Sequence, residues 1–137
     1  MTRVTLDSNI YLSGLVFGGK PKRILEMAIE GSIEVATSDP IIAEVRRHLL
    51  GKFGWSEERA ADAIESIAEF ATHVTPSETL NAVPRDPDDN RVLECAVAAD
   101  SEVVVTGDLD LLNLGSFRGM RIAKAADFLA EFRVRGR

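Results

Sequence analysis

Four separated stretches of the chain carry carboxylates beside apolar residues, where a buried charge needs a partner. Asp7 follows the alternating segment RVTL, and Asp108 comes soon after the three adjacent valines of EVVVTGD. Apolar β-branched runs are typical of buried strands, and an unpaired carboxylate is unfavourable in such surroundings. These two acids therefore predict a site at the ends of two strands.

The other acidic positions lie on predicted helices. Glu44 lies at the margin of the apolar face of the helix in DPIIAEVRRHLL, and Asp88 and Asp89 fall in the first turn of a later helix. Carboxylates gathered in one place stay ionised together only when a cation neutralises them. An all-oxygen ligand set without a His or Cys cluster favours Mg²⁺ or Mn²⁺ over Zn²⁺. Such ions activate water and bind the leaving oxygen in phosphodiester hydrolysis.

Each acid also has an ordinary structural explanation. Asp88 and Asp89 both favour a helix N-terminus, and Asp108 can cap the short turn LDLLN. Glu44, taken alone, is typical of a solvated surface. Only the joint placement of these acids with Asp7 favours a metal site.

The elements that must position these residues alternate between strands and helices. Predicted strands lie in RVTL, SIEVATS, THVTP, EVVVT and MRIA, with helical segments between them. This alternation predicts a parallel sheet covered by helices on both faces. Ligands of such sheets collect beyond the carboxyl ends of the strands, which share one edge. We therefore expect Asp7 and Asp108 to meet there.

Length and composition are those of an ordinary globular chain. The 137 residues predict a single domain spanning residues 1–137, and 45% hydrophobic with 28% charged residues excludes a disordered or fibrous class. Polar Asp7 and Asn9 interrupt the apolar N-terminus, which predicts a cytoplasmic protein with no membrane partner. The single cysteine, Cys95, is expected in the core.

The net charge of −6 weakens the case for nucleic acid, but local cations can still contact phosphates. The candidates for binding RNA are Lys20, Lys22, Arg23, Arg85, Arg91, Arg118 and Arg121, together with the tail RVRGR. Solvated surface cations are the alternative. The segment GLVFGGKP only approaches a phosphate-binding loop, because Pro21 replaces the hydroxyl that such loops place on Mg²⁺.

The ordered set LDSNIYLSGL, DPIIAEV, DPDDNRVLECA and VVVTGDLDLL resembles the PIN-domain nucleases, in particular the small VapC-like bacterial toxins of toxin–antitoxin pairs. The resemblance covers nearly the whole chain. It implies a three-layer α/β/α fold with a five-stranded parallel sheet, and Mg²⁺- or Mn²⁺-dependent cleavage of RNA. It also implies a homodimer and an antitoxin protein as partner.

The resemblance assigns roles to individual residues. The catalytic and metal-binding acids it implies are Asp7, Glu44, Asp89 and Asp108, with Asp110 as an auxiliary metal ligand. Asn9 and Thr106 occupy positions that support the site. Asp89 is preferred to Asp88 because it immediately precedes NRVLECA, where the family's third acid opens its helix.

Two other functions remain open at this point. One is a small phosphatase or phosphoacceptor domain with Asp7 as the phosphorylated residue. That chemistry wants a lysine late in the chain, and Lys124 is the only one beyond Lys52. The other is a non-catalytic binding module that uses the same fold as a scaffold.

Overall fold

A computed structural model describes residues 1–135 of the protein and the side chains of residues 1–132. The predicted role of the tail RVRGR therefore concerns side chains outside the described residues. The strands are β1 (Arg3–Leu6), β2 (Glu34–Thr37), β3 (Ala71–His73), β4 (Val103–Val105), β5 (Ser116–Phe117) and β6 (Met120–Ala123). The helices are α1 (Ser8–Val16), α2 (Gly19–Glu30), α3 (Asp39–Gly51), α4 (Glu57–Phe70), α5 (Pro87–Ala99), α6 (Leu109–Leu114) and α7 (Ala125–Arg135).

The strands form one sheet in the order β3-β2-β1-β4-β6-β5. The first five strands of this order run parallel, as predicted, while β5 pairs antiparallel with β6. The described chain therefore has six strands, and the prediction of five omitted β5. The β5–β6 turn consists of Arg118 and Gly119, whose positive φ angles of 49° and 83° are typical of a two-residue hairpin.

Helices cover both faces of the sheet. The central strands β1 and β4 bury almost every residue, as expected for strands covered on both sides. The chain moves in one direction from β1 to β2 to β3, and α5 then carries it back to β4. Because the connections before and after this reversal run in opposite directions, right-handed crossovers give the sheet helices on both faces. Within residues 1–135, every helix is too short or too polar to cross a membrane.

The site depends on the point where the topology reverses. From β1 the chain goes first to β2 on one side and later to β4 on the other, so the switch point lies between β1 and β4. Leu6 is in register with Val105, and the backbone N–H of Asp7 donates to the carbonyl of Val105 at 2.9 Å. The residues that follow these two strands therefore leave the sheet at the same level.

Candidate metal centre and active site

Asp7 lies where β1 meets α1 and is only 5% exposed. Its Oδ2 accepts hydrogen bonds from the Thr106 hydroxyl at 2.6 Å and the Asn9 amide at 3.2 Å. The Ser8 hydroxyl donates to Oδ1 at 3.4 Å. Burial raises the pKa of Asp7; hydrogen bonds from Thr106 and Ser8 oppose that shift, and the charge of Asp108 adds to it. The hydrogen bonds thus fix the carboxylate in position, while burial and the charge of Asp108 disfavour its ionised form.

Thr106 and Asn9 connect the ends of β1 and β4. Besides donating to Asp7, the Thr106 hydroxyl accepts from the backbone N–H of Asp108 at 3.0 Å. The Asn9 side-chain oxygen accepts from the backbone N–H of Gly107 at 3.3 Å. Both residues therefore hold Asp7 and the segment that carries Asp108 in a fixed relation.

Asp108 precedes the short helix α6. Its Oδ1 accepts from the backbone N–H groups of Asp110 at 2.8 Å and Leu111 at 3.3 Å, so it caps this helix. Asp110 takes part in this contact through its backbone rather than its carboxylate. Its predicted role as an auxiliary metal ligand stays a prediction.

Asp89, in the first turn of α5, is 3% exposed, and its Oδ2 is buried without a hydrogen-bond partner. Burial raises its pKa to about 8, and a hydrogen bond with Asp108 and the charges of Asp108, Asp7 and Asp86 add to the shift. One carboxylate oxygen from each of Asp86, Asp89 and Asp108 lies within 4.8 Å of the others. Asp88 differs from its neighbour, since it is exposed and pairs with Arg47 at 3.6 Å.

Glu44 reaches the same place from α3. Its pKa is raised by partial burial first, then by the charges of Asp88 and Asp7, while a hydrogen bond with Ser8 lowers it. The negative charge of Asp7 therefore acts on Glu44. The charges of Asp108 and Asp7 act on Asp89, and that of Asp7 acts on Glu44, so the four predicted acids are linked electrostatically. The described acids with oxygens within 4.8 Å of one another are Asp86, Asp89 and Asp108, a group that does not include Asp7 or Glu44.

The donor set fits a hard divalent cation. A buried carboxylate oxygen without a partner, as in Asp89, is unfavourable unless something neutralises it. The raised pKa values of Asp7, Glu44 and Asp89 have burial as their largest cause and mutual repulsion as a further one, and a cation would relieve that repulsion. Carboxylate oxygens are the ligands that Mg²⁺ and Mn²⁺ prefer.

Several predicted RNA-binding cations have protein partners instead. Arg23 pairs with Glu30 at 3.1 Å on the exposed face of α2, where Lys20 and Lys22 are also exposed. The Arg91 guanidinium donates to Glu94 at 2.7 Å. Two further arginine pairs are Arg118 with Glu78 and Arg121 with Glu131.

Arg85 is exposed and directly precedes Asp86, which forms an acidic cluster with Asp89 and Asp108. It is therefore the predicted RNA-binding cation whose position is closest in sequence to the site. Cys95 is fully buried, as expected for a core thiol.

Reasoning from the sequence missed Asp86, Ser8 and Arg47. Asp86 precedes Pro87 and caps α5, because its carboxylate accepts from the backbone N–H of Asp88 at 3.1 Å. The signal available for it was the density of acid in DPDD. For Ser8, the sequence signal was its position beside Asp7. For Arg47, it was its position one helical turn after Glu44.

Comparison with known proteins gives one family and a consistent fold. The PIN domain model matches residues 3–110. VapBC2 from Rickettsia felis, bound to a DNA fragment from the promoter, is similar with a TM-score of 0.66 and 13% identity, over 90% of this chain and 98% of that one. VapBC-1 from nontypeable Haemophilus influenzae gives 0.61 and 16%, over 91% and 99%.

A third similar structure is the Mycobacterium tuberculosis toxin VapC20, described as cleaving the sarcin-ricin loop. It has a TM-score of 0.59 and 19% identity, over 86% of this chain and 98% of that one. No significant match was found among curated protein sequences. At these identities the solved structures establish the fold alone, while the family model matches most of the sequence.

Proposed function

The chain belongs to the PIN domain family, and we propose that it is a metal-dependent endoribonuclease, the toxin of a toxin–antitoxin pair. The observation that carries this proposal is the acidic cluster at the topological switch point, with the partnerless oxygen of Asp89 buried inside it. A site of this charge suits a phosphodiester substrate only when a divalent cation neutralises it. Mg²⁺ or Mn²⁺ is the cation we propose.

The proposed ligands are the acids that the sequence singled out. Asp7, Glu44, Asp89 and Asp108 would hold the cation, with Asp110 as an auxiliary. When bound, the cation supplies Lewis-acid chemistry that lowers the pKa of an attacking water and stabilises charge on the phosphate. No covalent nucleophile is needed.

The chain's own residues orient the site. Thr106 and Asn9 hold the Asp7 carboxylate by two hydrogen bonds to Oδ2, and the Ser8 hydroxyl makes a longer contact with Oδ1. Holding reacting groups in place in this way removes entropy from the barrier. The rigid ends of β1 and β4 thus serve as the support of the site.

RNA is the proposed substrate despite the net charge of −6. Arg85, which directly precedes Asp86, and Arg47, which pairs with Asp88, are the proposed phosphate contacts near the site. Lys20, Lys22 and Arg23 form a separate exposed group on α2. Arg91 contributes to RNA binding only if it leaves Glu94. We expect weak RNA binding without the cation.

Partners follow from the family. The similar structures from Rickettsia felis and Haemophilus influenzae are VapBC assemblies, and this supports a protein antitoxin for the present chain. A homodimer and a cytoplasmic location are proposed on the sequence resemblance and composition.

The test is cleavage of structured and unstructured RNAs by the full chain with and without Mn²⁺. Asp7→Asn should lower the rate by about 100-fold or more, since it removes one charge from the site. Asp62→Asn, on the exposed face of α4, is the matched control and should keep the wild-type rate. Equal cleavage rates with and without Mn²⁺, or full activity in Asp7→Asn, would refute the assignment.

Folded protein that neither binds Mn²⁺ nor cleaves RNA would instead be a non-catalytic binding module. Acid-labile phosphate on Asp7 after incubation with a phosphoryl donor would favour the phosphoacceptor function.

A further inference from the structure

We propose that Asp86 is itself a ligand of the divalent cation and forms a three-carboxylate position with Asp89 and Asp108. This proposal rests on the proposed function. It adds Asp86, which the sequence motifs did not assign to the site. Asp86 lies three residues before Asp89, at the N-cap of α5. Its contribution would give the start of that helix a second ligand beside Asp89.

The geometry brings the three carboxylates within reach of one ion. One oxygen from each of Asp86, Asp89 and Asp108 lies within 4.8 Å of the other two. Ligand oxygens on opposite sides of a Mg²⁺ ion are separated by about 4.2 Å, twice the usual bond length. Small adjustments of the side chains are therefore enough to close the group around an ion.

A second observation points independently to a ligand. Asp89 is 97% buried, and its Oδ2 has no hydrogen-bond partner among the described residues. A buried carboxylate oxygen that no protein group satisfies needs water or a cation. The two other carboxylates of the group stand beside it, so a cation satisfies all three.

Both capping aspartates use one oxygen for the backbone. Asp86 Oδ1 accepts from the backbone N–H of Asp88, and Asp108 Oδ1 accepts from those of Asp110 and Leu111. Apart from its contact with Asp88, the Asp86 carboxylate makes no hydrogen bond among the described residues, and the further hydrogen bond of Asp108 is with Asp89, inside the same group. The caps also restrict the rotation of the side chains, which favours a fixed ligand geometry.

The backbone of Asp86 is held in place by its neighbours. Its N–H donates to the carbonyl of Val83 at 3.3 Å, and its own carbonyl accepts from the N–H of Asp89 at 3.1 Å. The Asn90 amide makes two hydrogen bonds of 2.8 Å to the backbone of Val83. Asp86 is thus positioned before any ion binds.

Asp88 provides a matched control. It carries the same charge two residues further on, but it is exposed and pairs with Arg47 instead of joining the three carboxylates. Either substitution removes one negative charge at the start of α5. Only the removal of Asp86 takes away a ligand.

The experiment measures Mn²⁺ binding by the full chain from the electron paramagnetic resonance signal of the free ion. Asp86→Asn keeps a helix cap and should weaken Mn²⁺ binding by about 10-fold or more. The Mn²⁺ affinity of Asp88→Asn should stay within about twofold of the wild-type value, which is clearly distinguishable from a loss of about 10-fold. Without metal, Asp86→Asn should melt at the wild-type temperature or above it, because one repelling charge is gone.

Equal affinity in Asp86→Asn and the wild-type protein would overturn the proposal, and so would equal losses in both variants. Asp86→Ser, a second capping residue, must show the same loss as Asp86→Asn. If the wild-type protein binds no Mn²⁺, this proposal and the metal site both fail. If Mn²⁺ binding depends on Asp86 but no RNA is cleaved, only the proposed function fails.

Discussion

Asp89 links the charge of the site to the stability of the chain. Burial and neighbouring carboxylates raise its pKa from 3.8 to about 8, so the folded state holds this proton more tightly than the unfolded state. The stability it contributes is therefore full below pH 3.8 and lost as the pH rises through about 8. In metal-free buffer, the melting temperature should fall as the pH increases from 5.5 to 8.5, a range chosen to cover most of this loss.

The control for this prediction is Asp89→Asn, which removes the titrating group and should give a flatter profile over the same pH range. All other ionisable residues are the same in both proteins, so the difference between the profiles reports on Asp89 and the carboxylates coupled to it. Parallel profiles would show that the carboxyl of Asp89 has an ordinary pKa.

Thr106 is a positioning residue for Asp7. Thr106→Val removes the 2.6 Å hydrogen bond to the Asp7 carboxylate and the acceptor for the N–H of Asp108. The unfolding free energy should drop by about 1–3 kcal/mol, and Mn²⁺ affinity by about 10-fold. Urea unfolding and calorimetric titration measure these two effects. Thr106→Ser keeps the hydroxyl and should retain most of the unfolding free energy and of the Mn²⁺ affinity. If Thr106→Val and Thr106→Ser behave identically, Thr106 is not a positioning residue.

Among the elements, the segment between β3 and α5 has no regular structure of its own and depends on α5 for its position. The buried Glu94 accepts from the backbone N–H of Leu80 and from Arg91, both at 2.7 Å, and Arg91 donates to the Leu80 carbonyl at 3.2 Å. Glu94→Ala leaves both donors without this acceptor and should lower the unfolding free energy by about 1–3 kcal/mol. It should also speed hydrogen exchange in residues 78–86.

Glu30→Ala is the control for this tether, because it breaks an exposed pair with Arg23 on α2. Its effect should stay below about 0.5 kcal/mol. A loss in Glu94→Ala no larger than in Glu30→Ala would show that the tether is not what holds the segment.

The crossing of α1 and α2 requires a small residue at Gly14. A Cβ there would lie 2.7 Å from Leu25 Cδ1 and 3.2 Å from the backbone of Lys22 and Pro21. Gly14→Ala should therefore destabilise the chain by about 1–3 kcal/mol in urea unfolding. Gly51→Ala, at the end of α3 with open space around it, should be neutral or stabilising by up to about 1 kcal/mol. If both substitutions have the same sign, the close approach is not the reason for Gly14.

The elements also show which features of the fold the sequence predicts and which it does not. The valine run of β4 and the alternating β1 predicted buried strands, and the crossover rule then placed Asp7 and Asp108 together. The hairpin strand β5 was missed because two residues carry no periodicity, and its turn uses Arg118 instead of a usual turn residue. The place of Asp86 depends on contacts of Asn90 and Glu94 with the preceding segment, which local patterns do not encode.

For the whole molecule, the uneven distribution of charge matters more than its sum. The net charge of −6 includes the acids at the switch point, so under the proposed function a bound divalent cation would change both the local field and the attraction for RNA. The assignment of a single domain to residues 1–137 and of a homodimer stays a prediction. The parallel sheet with helices on both faces is confirmed.

The most direct measurement is a calorimetric titration of Mn²⁺ into the full chain at pH 7.5, just below the pKa of about 8 for Asp89 in the metal-free protein. We predict saturable binding in the wild-type protein, with release of protons, and binding at least about 10-fold weaker in Asp89→Asn. No heat of binding in the wild-type protein, or equal affinity in the variant, would contradict a metal site built from these carboxylates.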